Sequence, residues 1–109
     1  MAFEVFLTGD AACDLEDLYQ YLALHDTLGK ADLVLARIEE VFDSLSGSPQ
    51  RGTYPKELLA LGIRDYREVF FKPYRVIHRI TGNAVHVMLI ADGRRDMLTL
   101  LQRRLLSAK

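Results

Sequence analysis

The sequence predicts an α+β fold of two layers, in which a helical hairpin packs on an antiparallel sheet in the order β-α-α-β-β-β plus a short C-terminal helix. Three observations predict it. The stretch from Ile63 to Asp96 alternates in hydropathy and is punctuated at Lys72-Pro73 and Gly82-Asn83, the pattern of three successive strands. Two stretches in the first half repeat apolar residues at spacings of three and four, the mark of amphipathic helices. Asp96 stands where it can cap a last helix carrying Leu98, Leu101 and Leu105 on one face.

Taken in order, Phe3–Leu7 is a short strand with Phe3, Val5 and Leu7 on one side. Thr8 and Asp10 offer caps to a helix over Ala11–His25, whose stripe is Ala11, Leu15, Leu18, Tyr19 and Leu22. Asp26–Gly29 breaks it and caps a second helix, Lys30–Ser46, with Val34, Ile38, Val41, Phe42 and Leu45 on its apolar face. Helices joined by so few residues pack as an antiparallel pair. A Gly-, Ser- and Pro-rich loop follows, and Pro55–Leu59 forms a single helical turn.

The strands are expected at Arg64–Phe71, Tyr74–Thr81 and Ala84–Ala91. Gly82-Asn83 suits a two-residue type II′ turn, which sets Ile80 opposite Val85, His78 opposite Val87, Val76 opposite Leu89 and Tyr74 opposite Ala91. These pairs form an apolar core face. The other face carries Arg79 with His86, Ile77 with Met88 and Arg75 with Ile90, and is where function is expected. Lys72-Pro73 fits a two-residue turn pairing Phe71 with Tyr74 only if its peptide is cis, and the face of Arg67 stays open. Met97–Leu106 completes the chain.

Composition places residues 1–109 as a single globular domain, with 50% hydrophobic and 27% charged residues. No apolar run approaches the length of a membrane span and the N-terminus lacks a basic-then-apolar pattern, so neither a membrane span nor a signal peptide is expected. The lone Cys13 precludes an internal disulfide, fits a reducing cytoplasm, and is expected as a buried, inert thiol. Neither a cofactor motif nor a converging set of metal ligands is present. The net charge of −1 hides an asymmetry: residues 1–50 carry ten acids against Lys30 and Arg37, whereas residues 51–109 carry twelve Lys or Arg against five acids. General nucleic-acid binding is disfavoured, while a basic half can draw an anionic partner.

Three segments, LTGDAACDLEDLYQYL, RGTYPKELLALGIRDYREVFFKPYRVIHRI and VMLIADGRRDMLTLLQRRLL, together resemble the ParE/RelE superfamily of toxins from bacterial type II toxin–antitoxin modules. The Tyr-Arg-Val-Ile strand at Tyr74–Ile77 and the Gly-Arg-Arg-Asp turn at Gly93–Asp96 carry most of the likeness. The resemblance implies one fold with two activities. RelE-like members cleave mRNA in the ribosomal A site; ParE-like members inhibit DNA gyrase. Cleavage demands cations at phosphate together with a proton-transferring tyrosine, histidine or glutamate.

Against that pattern, Arg75 and Arg95 match the phosphate-binding arginines, but Leu101 stands where the terminal tyrosine falls and Asp92 where a histidine is frequent. His86 is the substitute base if the chain is a nuclease; His78 projects toward the core. Arginine alone is an unsuitable base. The resemblance is therefore closer to ParE, with Arg75, Arg79, Arg94, Arg95, Arg103 and Arg104 as expected target contacts and DNA gyrase as the expected target. The alternatives are a RelE-like mRNA endoribonuclease acting with the ribosome, and an inactive binding or regulatory protein of the same fold. In every case the resemblance implies a cognate antitoxin, which would cover Leu24, Leu28 and Leu35 and supply any operator-DNA contact.

Overall fold

The computed structural model describes residues 2–106. Strand β1 (Glu4–Leu7) leads into helices α1 (Gly9–His25) and α2 (Leu28–Gly47), a single turn α3 (Lys56–Leu59), strands β2 (Arg67–Phe71), β3 (Tyr74–Thr81) and β4 (Ala84–Asp92), and helix α4 (Met97–Leu101). The helix then widens into a π-helical turn, Gln102–Leu106. The expected order holds, and the two-layer α+β architecture with it. Strand order is β1-β4-β3-β2. The last three strands form the expected antiparallel meander, whereas β1 runs parallel to β4, so the sheet is mixed.

Local chemistry sets the element ends. Thr8 accepts from the Ala11 amide and Thr27 from the Lys30 amide, so both helices begin two residues ahead of the expected Ala11 and Lys30. Asp96 accepts from the amide and hydroxyl of Thr99 and caps α4, which holds its carboxyl below the usual carboxylate range. Gly82 has φ of 60° while Asn83 does not adopt a positive φ, as a type II′ turn requires. The Lys72–Pro73 peptide is cis and Phe71 pairs with Tyr74.

The hairpin register is as expected from Thr81 to His78, then changes. A bulge at Met88 sets Ile77 opposite Leu89, Val76 opposite Ile90, Arg75 opposite Ala91 and Tyr74 opposite Asp92. One extra residue on β4 inverts its faces. Ile90, expected beside Arg75, therefore joins the helix-side core with Val76, Val85 and Val87. Leu89, expected in that core, lies on the opposite face with Ile77.

That opposite face is not the open surface the alternation suggested. Leu58, Tyr66, Ile77, Leu89, Met97 and Leu101 form a second core there, closed by α3 and α4. The helix-side core holds Ala11, Leu22, Val34, Ile38 and Leu45 against the sheet. Each fully buried Val or Leu contributes about 1.5–3 kcal/mol. Cys13, expected to be buried, is exposed, because it falls two residues from both Ala11 and Leu15 and so turns away from their stripe.

His78 is the structural histidine expected. It is fully buried, its Nε2 donates to the Pro49 carbonyl at 2.8 Å, and burial lowers its pKa. No helix among the described residues is long and apolar enough to cross a membrane. Val87→Asp would place an unpaired carboxylate at a position with no exposed surface. The expected result is a chain without a cooperative thermal transition by circular dichroism; a cooperative melt near that of the native chain would contradict the core assignment.

Candidate functional site

The site begins with Arg75, in the middle of the basic half and on the face away from the helices. Its side chain is 7% exposed. A guanidinium so deeply placed requires counterions, and two glutamates supply them. Glu57, at the start of α3, accepts both terminal nitrogens at 2.9 and 2.8 Å in a bidentate fork. Glu68, on β2, accepts from Nε at 2.6 Å. The sheet register explains the second contact, since Phe70 lies opposite Arg75 and Glu68 is its diagonal neighbour on the same face.

One arginine between two carboxylates leaves an unbalanced negative charge, and the two acids divide the consequence. The Arg75 hydrogen bonds hold the Glu57 carboxyl below its ordinary value of 4.5. The more deeply buried Glu68 is pushed above that value by desolvation, which outweighs its bond to Arg75. The Glu57 contribution to stability is therefore present above pH 4.5 and lost as pH falls through its lowered pKa; that of Glu68 has the opposite sign.

The Gly-Arg-Arg-Asp turn closes over this triad. The Gly93 amide donates to the Pro73 carbonyl at 2.7 Å. A Cβ at Gly93 would lie 2.9 Å from Cδ of Arg75, so glycine is what lets the turn rest on the arginine stem. The cleft beside it, about 460 Å³, is lined by Lys56, Glu68, Lys72, Arg75, Gly93 and Arg94 among others.

The other expected target contacts separate into two groups. Arg94 is exposed and pairs with Asp92, while Arg95 and Arg103 are exposed and act on Asp92 and Asp96 only at longer range, with no ion pair within 4 Å among the described residues. Arg79 projects from the far end of β3 with its guanidinium 5.9 Å from the Tyr66 ring. Arg75 and Arg104 require correction, because neither is a free surface cation. Arg104 is 21% exposed and forks onto Asp14 of α1 at 2.9 and 3.0 Å, while also donating to the Met88 carbonyl at 2.8 Å. Asp14 accepts in turn from the Ile90 amide at 3.0 Å. Where β4 bulges past the end of β1, these side chains satisfy backbone groups that no strand reaches.

His86 is half-buried and stacks on Phe6 at 5.6 Å, paired across the sheet with Arg79 and remote from the Arg75 triad. Leu24 and Leu28 are 81% and 59% exposed at the tip of the helical hairpin, joined by exposed Tyr21 and Leu33. Leu35, expected with them, is half-buried in a seam between the helices beside Leu15, Tyr19 and Ala31, because it lies one turn from Ala31 on the packed face. The sequence reading missed Glu57, Glu68 and Asp14 as the partners of Arg75 and Arg104. Glu68 was findable: pairing Phe71 with Tyr74 already places it diagonal to Arg75.

The model of the ParE toxin of the type II toxin–antitoxin system parDE matches residues 5–97. The chain belongs to this family. It is 29% identical over 100 residues to Toxin ParE3 of Caulobacter vibrioides, covering 92% of this chain and 96% of that one. Among solved structures, the chromosomal ParDE system from P. aeruginosa superposes with a TM-score of 0.69 at 18% identity, over 84% of this chain and 96% of that one. The toxin–antitoxin complex RelBE2 from Mycobacterium tuberculosis gives 0.60 at 21% identity, over 84% and 92%. A mutant of E. coli RelE in the free state gives 0.65 at 13% identity, over 96% and 100%. At these identities the structural likenesses establish the shared fold.

Removing Glu57 leaves Arg75 paired with Glu68 but takes the Glu57 acceptors from both terminal nitrogens of its guanidinium. Glu57→Ala is expected to destabilise this ParE-family toxin by about 2 kcal/mol, read as a lower urea midpoint at pH 7. A midpoint within the error of the native chain would show that the Glu57–Arg75 fork carries no stability.

Proposed function

We propose that this toxin acts in the ParE manner, inhibiting DNA gyrase by binding, and that a cognate antitoxin neutralises it. The observation that carries this reading is the state of Arg75. The strand arginine that a ribonuclease would turn toward a scissile phosphate is consumed by Glu57 and Glu68. An arginine whose donors are filled at 2.6–2.9 Å must break charged, buried contacts before it can neutralise a phosphorane. The exposed cations Arg79, Arg94, Arg95 and Arg103 then serve to steer and grip an anionic surface of the target.

Leu24 and Leu28, with Leu33 and Tyr21, support the antitoxin part of the reading. An amphipathic or extended antitoxin segment would bury them, and operator DNA would be met only through that complex. The ParE family description itself names a type II toxin–antitoxin system.

A second reading has one observation in its favour. The cleft that holds Glu68 and Arg75 also presents Lys56, Lys72 and Arg94, and desolvation raises the Glu68 pKa toward the range of a useful general base. Ribosome-dependent mRNA cleavage would place a phosphate among those cations and take the nucleophile's proton on Glu68.

Two reactions separate them: gyrase supercoiling, and translation of a reporter mRNA, each with the native chain and with Glu68→Gln. Expected are inhibition of supercoiling by both chains and an uncut message. Codon-phased cleavage by the native chain, reduced about a hundredfold by Glu68→Gln, would establish the second reading instead.

A further inference from the structure

At the end of the β2–β3 ladder remote from the Arg75 triad lies a polar cavity of about 340 Å³, walled by Tyr54, Arg64, Asp65, Arg67, His78 and Arg79 among others. Its volume falls within the roughly 300–1,000 Å³ of small-molecule sites. Three guanidiniums against one carboxylate leave it with two positive charges while the imidazole is neutral. Unlike Arg75 and Arg104, none of its arginines forms an ion pair among the described residues.

Two of the cations are held by aromatic rings. Arg67 lies 4.7 Å over the Tyr54 ring and donates to its hydroxyl at 3.3 Å, and Arg79 sits at 5.9 Å from the Tyr66 ring. Such contacts fix direction and leave the charge uncompensated.

His78 lies at the back of this wall, fully buried, with Nε2 donating to the Pro49 carbonyl at 2.8 Å and Nδ1 shut off from solvent, so the cleft is lined at its surface by the three cations and not by the imidazole.

We propose that this cavity binds a phosphomonoester group, such as that of a nucleoside monophosphate. A phosphomonoester carries about −1.5 to −2 charges at pH 7, which balances the wall; a phosphodiester supplies only one. Arg64, Arg67 and Arg79 take the phosphate oxygens through charge-assisted bonds. The half-buried Tyr54 ring bounds the opening. The site is separate from the target reading above, except that Arg79 belongs to both.

The test is a nitrogen-edited NMR titration of the full chain at fixed ionic strength with AMP, with a dinucleotide holding only a diester phosphate, and with Arg79→Gln and Arg103→Gln variants. Expected is saturable movement of the Arg67 and Arg79 Nε–H signals with AMP. The diester dinucleotide and the Arg79→Gln variant should each bind about tenfold more weakly, while Arg103→Gln stays within about twofold of the native chain. No saturable movement with AMP, equal affinity for the diester, or equal loss in both arginine variants would each overturn the proposal. The last outcome would reduce the effect to general surface charge.

Discussion

Arg75 is the constraint around which the face away from the helices is arranged. A guanidinium at 5% residue exposure is tolerable only with its donors filled. Meeting that demand fixes much else: α3 must present Glu57, β2 must hold Glu68 in register, and the turn after β4 must carry glycine at position 93 so that it can lie on the arginine stem. The Tyr-Arg-Val-Ile and Gly-Arg-Arg-Asp motifs are thus two halves of one packing arrangement. What reads along the chain as a pair of cationic signatures is in space an arginine covered by a glycine turn.

The bulge at Met88 has comparable reach. Without it, Leu89 would face α1 and α2 and Ile90 would lie beside Arg75. With it, β4 sends apolar side chains to both faces, and the sheet acquires a second core under α3 and α4. Backbone groups near the irregularity are taken up by Asp14 and Arg104, which ties the C-terminal segment to α1. A charge expected to meet a target is part of the structure that closes the fold.

The local elements were legible because local chemistry determines them: threonine caps at Thr8 and Thr27, helical stripes around Leu22 and Ile38, a type II′ turn at Gly82. His78 was placed on the core side for the same reason, since the register near that turn precedes the bulge. The remainder was set by contacts distant in sequence. Nothing in alternation announces an extra residue at Met88, so the faces of Leu89 and Ile90 were exchanged. The covering of Arg75 depends on Glu57, eighteen residues away, and that of Arg104 on Asp14, ninety away. Counting charges shows the surplus of cations in the second half; only the fold shows which are spent internally and which, such as Arg79 and Arg95, remain at the surface.

The central claim is that the Arg75 triad serves structure and has no direct part in toxicity. Buried ion clusters can be exchanged for apolar side chains of similar size with little loss of stability. The direct measurement is gyrase supercoiling with the triple variant Glu57→Met, Glu68→Leu, Arg75→Met, after circular dichroism has established its native-like cooperative melt. Inhibition equal to that of the native chain is the predicted result. A folded triple variant that no longer inhibits gyrase would contradict the account and return those charges to the target interface.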